Sequence, residues 1–185
     1  MQALDVLLNR VSVPRLQDPA PTAEQREVLF QAALRAPDHG QLRPWRFLTV
    51  EGAGRDRLGE LLAQAVQHGN PEAEPSALEK ARNMPQRAPL LIVVIAREQE
   101  HRKVPRSEQL LAAGCAAHGI LLAAHAQGIG AVWRSGELSY SPVVAEGLGL
   151  QEGESIIGFL YLGQPLKDLR EPPKLATADF VQAWG

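Results

Sequence analysis

The sequence contains little cysteine and no long apolar run, and both absences restrict what the protein can be. Among 185 residues there is one cysteine, Cys115, so a disulfide within the chain is excluded and a reducing compartment is expected. The longest apolar run, 90–96, is far shorter than the roughly 20 residues of a membrane span. The amino-terminal residues MQALDVLLNR include an aspartate and do not resemble a secretion signal. We therefore predict a cytoplasmic protein with no membrane partner.

Excess positive charge is also absent. Nineteen lysines and arginines are opposed by 21 aspartates and glutamates, for a net charge of −2 with neutral histidines. This balance argues against a broad basic surface, so we predict no nucleic-acid partner. Positive charge is instead local, around Arg10, residues 35–46, residues 102–106 and Arg134.

Several familiar catalytic motifs are missing. There is no GxSxG motif, phosphate-binding P-loop or HExxH motif, and Gly128-x-Gly130 lacks the third glycine of a dinucleotide-binding turn. His118 and His125 share one predicted helix but have no evident third ligand, so no metal site is predicted. Cys115 lies on the same helix and is predicted to be a packed thiol.

The patterning predicts one α+β domain over 1–185, with an extended tail at about 165–185. Thr22 and Gln25 match a capping box at a helix start, and Pro37 should end that helix after Ala36. Predicted helices cover 3–9, 23–36, 55–67, 76–83, 107–127 and a short stretch after Ser141, and predicted strands cover 45–50, 89–96, 131–135 and 156–162. The helix at 107–127 is apolar on most sides, so it should be buried on most sides.

Three basic segments are candidate binding elements. Arg10 and Ser12 flank Val11 in an extended stretch, where both side chains can contact one anion or where the arginine can be solvated. Arg35 can cap a helix end through the helix dipole, whereas His39, in the loop beyond it, favours a small anionic ligand.

The third segment, Trp133-Arg134-Ser135-Gly136, ends a short strand. Its glycine allows a ligand to approach the backbone, although Arg134 can equally be an ordinary edge-strand residue.

Taken together, these segments resemble the FMN-dependent nitroreductase family, and in particular its compact subgroup of NAD(P)H nitroreductases. The matching passages are 10–12, 35–39, 41–45 and 127–136, with support from 103–106, 141–144 and 158–163. The likeness runs in order from the first helix to about residue 165. It implies an α+β fold with a mixed β-sheet flanked by helices, forming an interlocked homodimer with FMN at the interface. The excess apolar surface of the long helix would then be buried against its symmetry mate.

The resemblance also implies roles for individual residues. The implied FMN contacts are Arg10, Val11 (through its backbone), Ser12, Arg35, His39, Trp133, Arg134 and Ser135. Arg10 and Ser12 would lie at the phosphate, Arg35 and His39 would come from the other chain, and 133–135 would run along the isoalloxazine ring. The implied nicotinamide-binding stretch is Ala123, Ala124, His125, Ala126, Gln127 and Gly128. Larger relatives carry a basic pair near the carboxyl terminus, whereas this tail has scattered Lys167, Arg170 and Lys174.

The implied activity is transfer of hydride from NAD(P)H through flavin N5 to electron-poor acceptors such as nitroaromatics or quinones, with ping-pong kinetics. No side chain is assigned as an essential acid or base. The alternatives are a flavoenzyme of the same fold that catalyses dehydrogenation or flavin breakdown, a non-catalytic FMN-binding protein, and a helical protein that dimerises without cofactor.

Overall fold

A computed structural model describes residues 2–185, which contain six α-helices and five strands. The helices are Ala3–Asn9 (α1), Ala23–Ala33 (α2), Ala53–Gly69 (α3), Pro75–Arg82 (α4), Arg106–Ala126 (α5) and Pro142–Gly147 (α6). The strands are Leu16–Gln17 (β1), Trp45–Glu51 (β2), Leu90–Arg97 (β3), Gly130–Arg134 (β4) and Glu154–Pro165 (β5). Each element predicted from the sequence is present, and β1 is an addition.

The sheet is organised around β5, which pairs with β3, β4 and β1, while β2 pairs with β3. The α+β class is confirmed. The family resemblance implied a mixed β-sheet, with parallel and antiparallel strand pairs. Each pairing within residues 2–185 is antiparallel. β4 lies beside β5, and within residues 2–185 its other edge has no strand partner; this edge becomes important at the candidate site.

The two faces of the sheet support two cores. On one face Leu90, Ile92 and Val94 pack with α2 and α5, and on the other Leu91 and Val93 pack with α3 and α6. Successive residues of a strand point to opposite faces, so β3 must be apolar at every position to be buried on both sides. The prediction of a central buried strand is confirmed.

Helix α5 is buried along one side and open along the other. Ala113, Ala117 and Ile120 are fully buried, whereas Leu111 is 69% exposed and Cys115 is exposed. The predicted packing of Cys115 is therefore wrong within a single chain. By length and composition α5 could cross a membrane, but the core helix of a globular protein passes the same test, and burial against the sheet accounts for this composition.

The start of α2 follows the predicted capping box. Thr22 Oγ1 accepts from the Gln25 N–H, and the Gln25 side chain accepts from the Thr22 N–H. The helix ends at Ala33, earlier than predicted, and Val28 on its outer face is 46% exposed rather than buried.

A partly buried ion pair joins β2 to β5 across β3, and its removal should cost stability. Arg46 donates to both carboxylate oxygens of Glu154 at 2.7 and 2.6 Å, and the Glu154 side chain is 7% exposed. We expect Glu154→Ala to lower the free energy of unfolding by about 1–3 kcal/mol, because the partly buried Arg46 guanidinium loses its carboxylate and keeps only its hydrogen bond to the Gly149 carbonyl. Glu60→Ala, which breaks an exposed pair with Arg82, should cost less than about 1 kcal/mol.

Urea denaturation of both variants near neutral pH measures the difference, and equal losses would contradict this assignment. The hydrogen bond from Arg46 lowers the pKa of Glu154. The stabilisation is therefore present above the ordinary glutamate pKa and is lost as the pH falls through the lower pKa of the folded state. The Glu154→Ala deficit should shrink in acid.

Candidate functional site

The first predicted segment lies along the free edge of β4. Arg10 caps the carboxyl end of α1, and the Val13 N–H donates to the Ala131 carbonyl at 2.9 Å. Val11 is 7% exposed, so its side chain is withdrawn from solvent. The hydrogen bond brings 10–13 to the beginning of β4.

The same hydrogen bond fixes which backbone groups of β4 face outward. The Ala131 carbonyl points away from β5, and backbone groups two residues apart in a strand point the same way. The N–H and carbonyl of Trp133 therefore lie on the free edge too. They are available to a planar ligand with its own donors and acceptors.

The side chains of Trp133 and Arg134 point to opposite faces of the sheet. The indole of Trp133 packs over Gly114 of α5 and donates from Nε1 to the Ile157 carbonyl at 3.3 Å. The Arg134 guanidinium lies 5.6 Å from the centroid of the Tyr161 ring, on the α3 side. Its Nε is buried and has no hydrogen-bond partner within residues 2–185.

Arg134 and the turn after it line a cleft of about 880 Å³, which we call the α3–β4 cleft. Its residues are Leu62, Ala65, Val66, His68, Gly69, Asn70, Met84, Arg87, Trp133, Arg134, Ser135, Gly136, Glu137, Leu138, Ser139, Ser141, Pro142, Phe159 and Tyr161. Burial raises the pKa of Tyr161, while the charges of Arg87 and Arg134 act in the opposite direction.

The carboxyl-terminal tail returns to the Arg10 segment. The Leu166 N–H donates to the Arg15 carbonyl at 3.1 Å, and Lys167–Arg170 lines a cleft of about 150 Å³ with Val11–Arg15. Two basic side chains that the sequence left scattered, Lys167 and Arg170, are thus placed beside the first predicted segment. Lys174 does not line this cleft.

His125 belongs to the same neighbourhood. It lines a small cavity with Arg10 and Leu169, and its Nε2 is buried without a partner in the described part of the chain. Burial, and secondarily the Arg10 charge, lower the pKa of His125, so the imidazole is neutral around pH 7.

The other residues of the predicted nicotinamide-binding stretch differ in their exposure to solvent. Ala124 is fully buried, and its carbonyl already accepts the N–H groups of Gln127 and Ile129. Ala126 and Gly128 are exposed, while Ala123 and Gln127 are half-buried.

The second predicted segment lies at the other end of the molecule. Arg35 is exposed and follows the end of α2 rather than occupying its last turn. His39 Nδ1 lies 2.6 Å from Glu108 Oε2 in the first turn of α5, and both side chains are exposed.

Asp38 fixes the loop that carries this segment. Its carboxylate accepts from the backbone N–H groups of Leu42 at 3.1 Å and Arg43 at 2.8 Å. Gln41 and Arg43 have positive φ angles of 54° and 53°, a conformation that costs energy for residues with side chains. The loop is therefore locally strained and anchored by Asp38.

The two predicted groups do not meet within one chain. His39 contacts Glu108, whereas Arg10 lines a cavity with His125, and α5 rises about 25 Å between these two helix positions. One chain cannot bring both groups to the same phosphate. Sequence reasoning missed the approach of Lys167 and Arg170, because the two-residue strand β1 that guides the tail has no sequence signature.

Comparison with known proteins identifies the family. The profile of the nitroreductase family matches residues 7–164. An Escherichia coli protein named as a candidate NAD(P)H nitroreductase, YdjA, is 50% identical over 166 residues, or 89% of each chain. A Haemophilus influenzae protein with the same designation is 42% identical over 183 residues, or 98% of each chain. The chain belongs to the nitroreductase family of oxidoreductases.

Solved structures show the same fold. A nitroreductase-like family protein from Bacillus cereus superposes with a TM-score of 0.85 at 26% identity, covering 100% of this chain and 96% of the other. A candidate nitroreductase from Desulfovibrio desulfuricans, solved in complex with FMN, has a TM-score of 0.75 at 22% identity, covering 98% and 96%. An FMN- and NADPH-dependent nitroreductase, NfnB, has a TM-score of 0.78 at 18% identity and full coverage of both chains.

Proposed function

We propose that the protein is an FMN-dependent NAD(P)H oxidoreductase that functions as a cytoplasmic homodimer. The observation that carries the proposal is the division of the predicted cofactor residues into two groups at opposite ends of α5. Two copies related by a two-fold axis perpendicular to α5 place the start of one helix beside the end of the other. Arg35 and His39 of one subunit then approach Arg10 of the second.

The exposed apolar surface of the chain supports the proposal that its partner is a second copy of the same chain. Helix α1 buries none of its residues, and a seven-residue helix is not stable in isolation. Its leucines are exposed, as are apolar residues of α5 and the tail. These exposed residues are Leu4, Leu7, Leu8, Leu111, Leu175, Phe180, Val181 and Trp184. Apolar surface of this extent marks an interaction site.

The residues around Arg10 suit a phosphate. Arg10, Lys167 and Arg170 provide positive charge, and Ser12 provides a hydroxyl donor in the same region. The neutral His125 has a buried, unpartnered Nε2 that can donate as the appropriate tautomer. A phosphate ester satisfies this set of donors, and no dinucleotide-binding fold is required.

The free edge of β4 suits a planar heterocycle. Trp133 offers a backbone donor and acceptor there, and the turn at Gly136 leaves open space beside them. The partly buried Arg134 has an Nε without a hydrogen-bond partner among the described residues, and it can stabilise negative charge that develops on a ring. The donor set and the shape therefore fit FMN, the cofactor named in the complex of the Desulfovibrio desulfuricans protein.

Bound FMN would supply hydride chemistry at N5, taking a hydride from NAD(P)H and delivering it, with a proton from solvent, to an electron-poor acceptor such as a nitroaromatic or a quinone. The protein would position both substrates in turn and would need no essential side-chain acid or base. Ala123–Gly128 would assist nicotinamide binding through Ala126, Gln127 and Gly128, because Ala124 faces the core.

An absorption spectrum tests this proposal. We expect purified protein incubated with FMN to retain about one flavin per subunit and to lose its visible absorbance when NADPH is added without oxygen. Protein that remains colourless would contradict the proposal. Protein that binds FMN but is not bleached by NADPH or NADH would instead be a flavin-binding protein of another kind.

A further inference from the structure

The α3–β4 cleft is large, and most of the residues that line it were not assigned to the flavin. Its volume of about 880 Å³ is within the range of sites that enclose a whole small molecule. Only Trp133, Arg134 and Ser135 among its residues were assigned to the cofactor. The remaining walls come from α3 and the residue after it, the α4–β3 connection, the turn after β4, the start of α6 and β5.

The interior of this cleft is aromatic and aliphatic. Tyr161 and Phe159 of β5 are 5% and 6% exposed, and Leu62 and Ala65 of α3 are buried. Met84 adds a flexible, polarisable side chain. These surfaces favour a flat apolar ring over a flexible polar chain.

Two arginines give the cleft a net positive charge. Arg134 lies over Tyr161, and Arg87 enters from the α4–β3 connection. Neither forms an ion pair within residues 2–185, and Glu137 is the one acidic residue of the lining. Arg87 is exposed and its side chain has no hydrogen bond in that part of the chain, so it is free to meet an anionic group.

We propose that the α3–β4 cleft is an acceptor subsite that recognises aromatic carboxylates, with the ring against the apolar walls and the carboxylate on Arg87. This inference rests on the proposed function for its link to turnover, because Trp133–Ser135 would join the subsite to the flavin. The recognition itself depends on residues of this chain alone. A carboxylate gains a charge-assisted hydrogen bond that a neutral amide of the same shape does not.

Binding of 2-naphthoate and 2-naphthamide to the protein, measured before and after FMN is added, tests the inference, since neither compound is an electron acceptor. We expect the wild type to bind the carboxylate about 5- to 10-fold more tightly than the amide by calorimetry, at low salt. Arg87→Gln should abolish this preference and Arg87→Glu should reverse it. Arg57→Gln, which changes an exposed arginine of α3 outside the cleft, should leave it intact.

Three results would overturn the inference: no preference in the wild type, an unchanged preference in Arg87→Gln, or loss of naphthoate binding when FMN is added. The third result would show that the flavin itself fills the cleft. An FMN titration on the same samples separates this test from that of the proposed function. A protein that fails to bind FMN yet shows the Arg87-dependent preference refutes the proposed function and retains the anion subsite.

Discussion

Leu111→Glu is expected to convert the protein to a monomer that no longer retains FMN. Leu111 is 69% exposed at the amino-terminal end of α5, on the open side of that helix. In the proposed two-fold dimer, residue 111 of each subunit lies in the interface. The substitution therefore places two carboxylates in an apolar interface. Burying unpaired charges costs several kcal/mol. We expect dimer dissociation to increase by at least about 100-fold and FMN affinity to fall with it.

Sedimentation velocity, read at the protein and flavin wavelengths, measures both effects together. Val28→Glu is the matched control, because Val28 is also exposed but lies on the outer face of α2. The Val28→Glu protein should remain dimeric and should keep its bound FMN. A Leu111→Glu protein that stays dimeric with bound FMN would place the interface elsewhere, and a wild-type monomer that binds FMN would remove the need for an interface.

Loss of either basic group should weaken FMN binding without dissociating the dimer. Arg10→Gln and Arg35→Gln each remove one charge from the proposed phosphate site. A charge-assisted hydrogen bond contributes about 1.5–3 kcal/mol, which corresponds to about a 10- to 150-fold loss of affinity. We expect both variants to show a loss in this range in fluorescence titrations with FMN, while Arg57→Gln binds like the wild type.

Raising the ionic strength should weaken the wild type more than either variant, since each variant has one charge fewer to screen. If Arg35→Gln binds FMN normally, Arg35 is not part of the phosphate site. The charges assigned to the phosphate would then reduce to those around Arg10 and the tail.

The sequence predicted the secondary structure well where the signals are local. The capping box at Thr22 and the apolar strand predicted at 89–96 are set by residues close in the chain, and both are present, the strand one residue later at Leu90–Arg97. The end of α2 was placed too late because Pro37 restricts only Ala36, whereas the helix already stops at Ala33.

The less predictable features depend on contacts between distant residues. The approach of Lys167 and Arg170 to Val11–Arg15 follows from a strand of two residues, which no periodicity can reveal. Cys115 was expected to be packed because the helix is apolar on most sides, but one side of α5 is open to solvent in the part of the chain that the structure describes. That side is the surface through which the dimer is proposed to form, and the proposed dimer predicts apolar residues there as well as on the side that faces the core.

The side-chain directions in β4 are a third feature that the sequence analysis did not predict. Trp133 and Arg134 were assigned together to one ring, yet alternation along a strand sends their side chains to opposite faces. The proposed ring contact is therefore through the backbone of Trp133, and Arg134 connects the flavin region to the α3–β4 cleft.

The most direct test of the account is FMN binding by a mixed dimer of Arg10→Gln and Arg35→Gln subunits, purified through two different affinity tags. If each site takes Arg10 from one subunit and Arg35 from the other, the mixed dimer contains one doubly altered site and one intact site. The account predicts one FMN bound per mixed dimer with wild-type affinity, and weak binding in both parent homodimers. If the mixed dimer has no tight site, both arginines act within the same subunit and the shared site is contradicted.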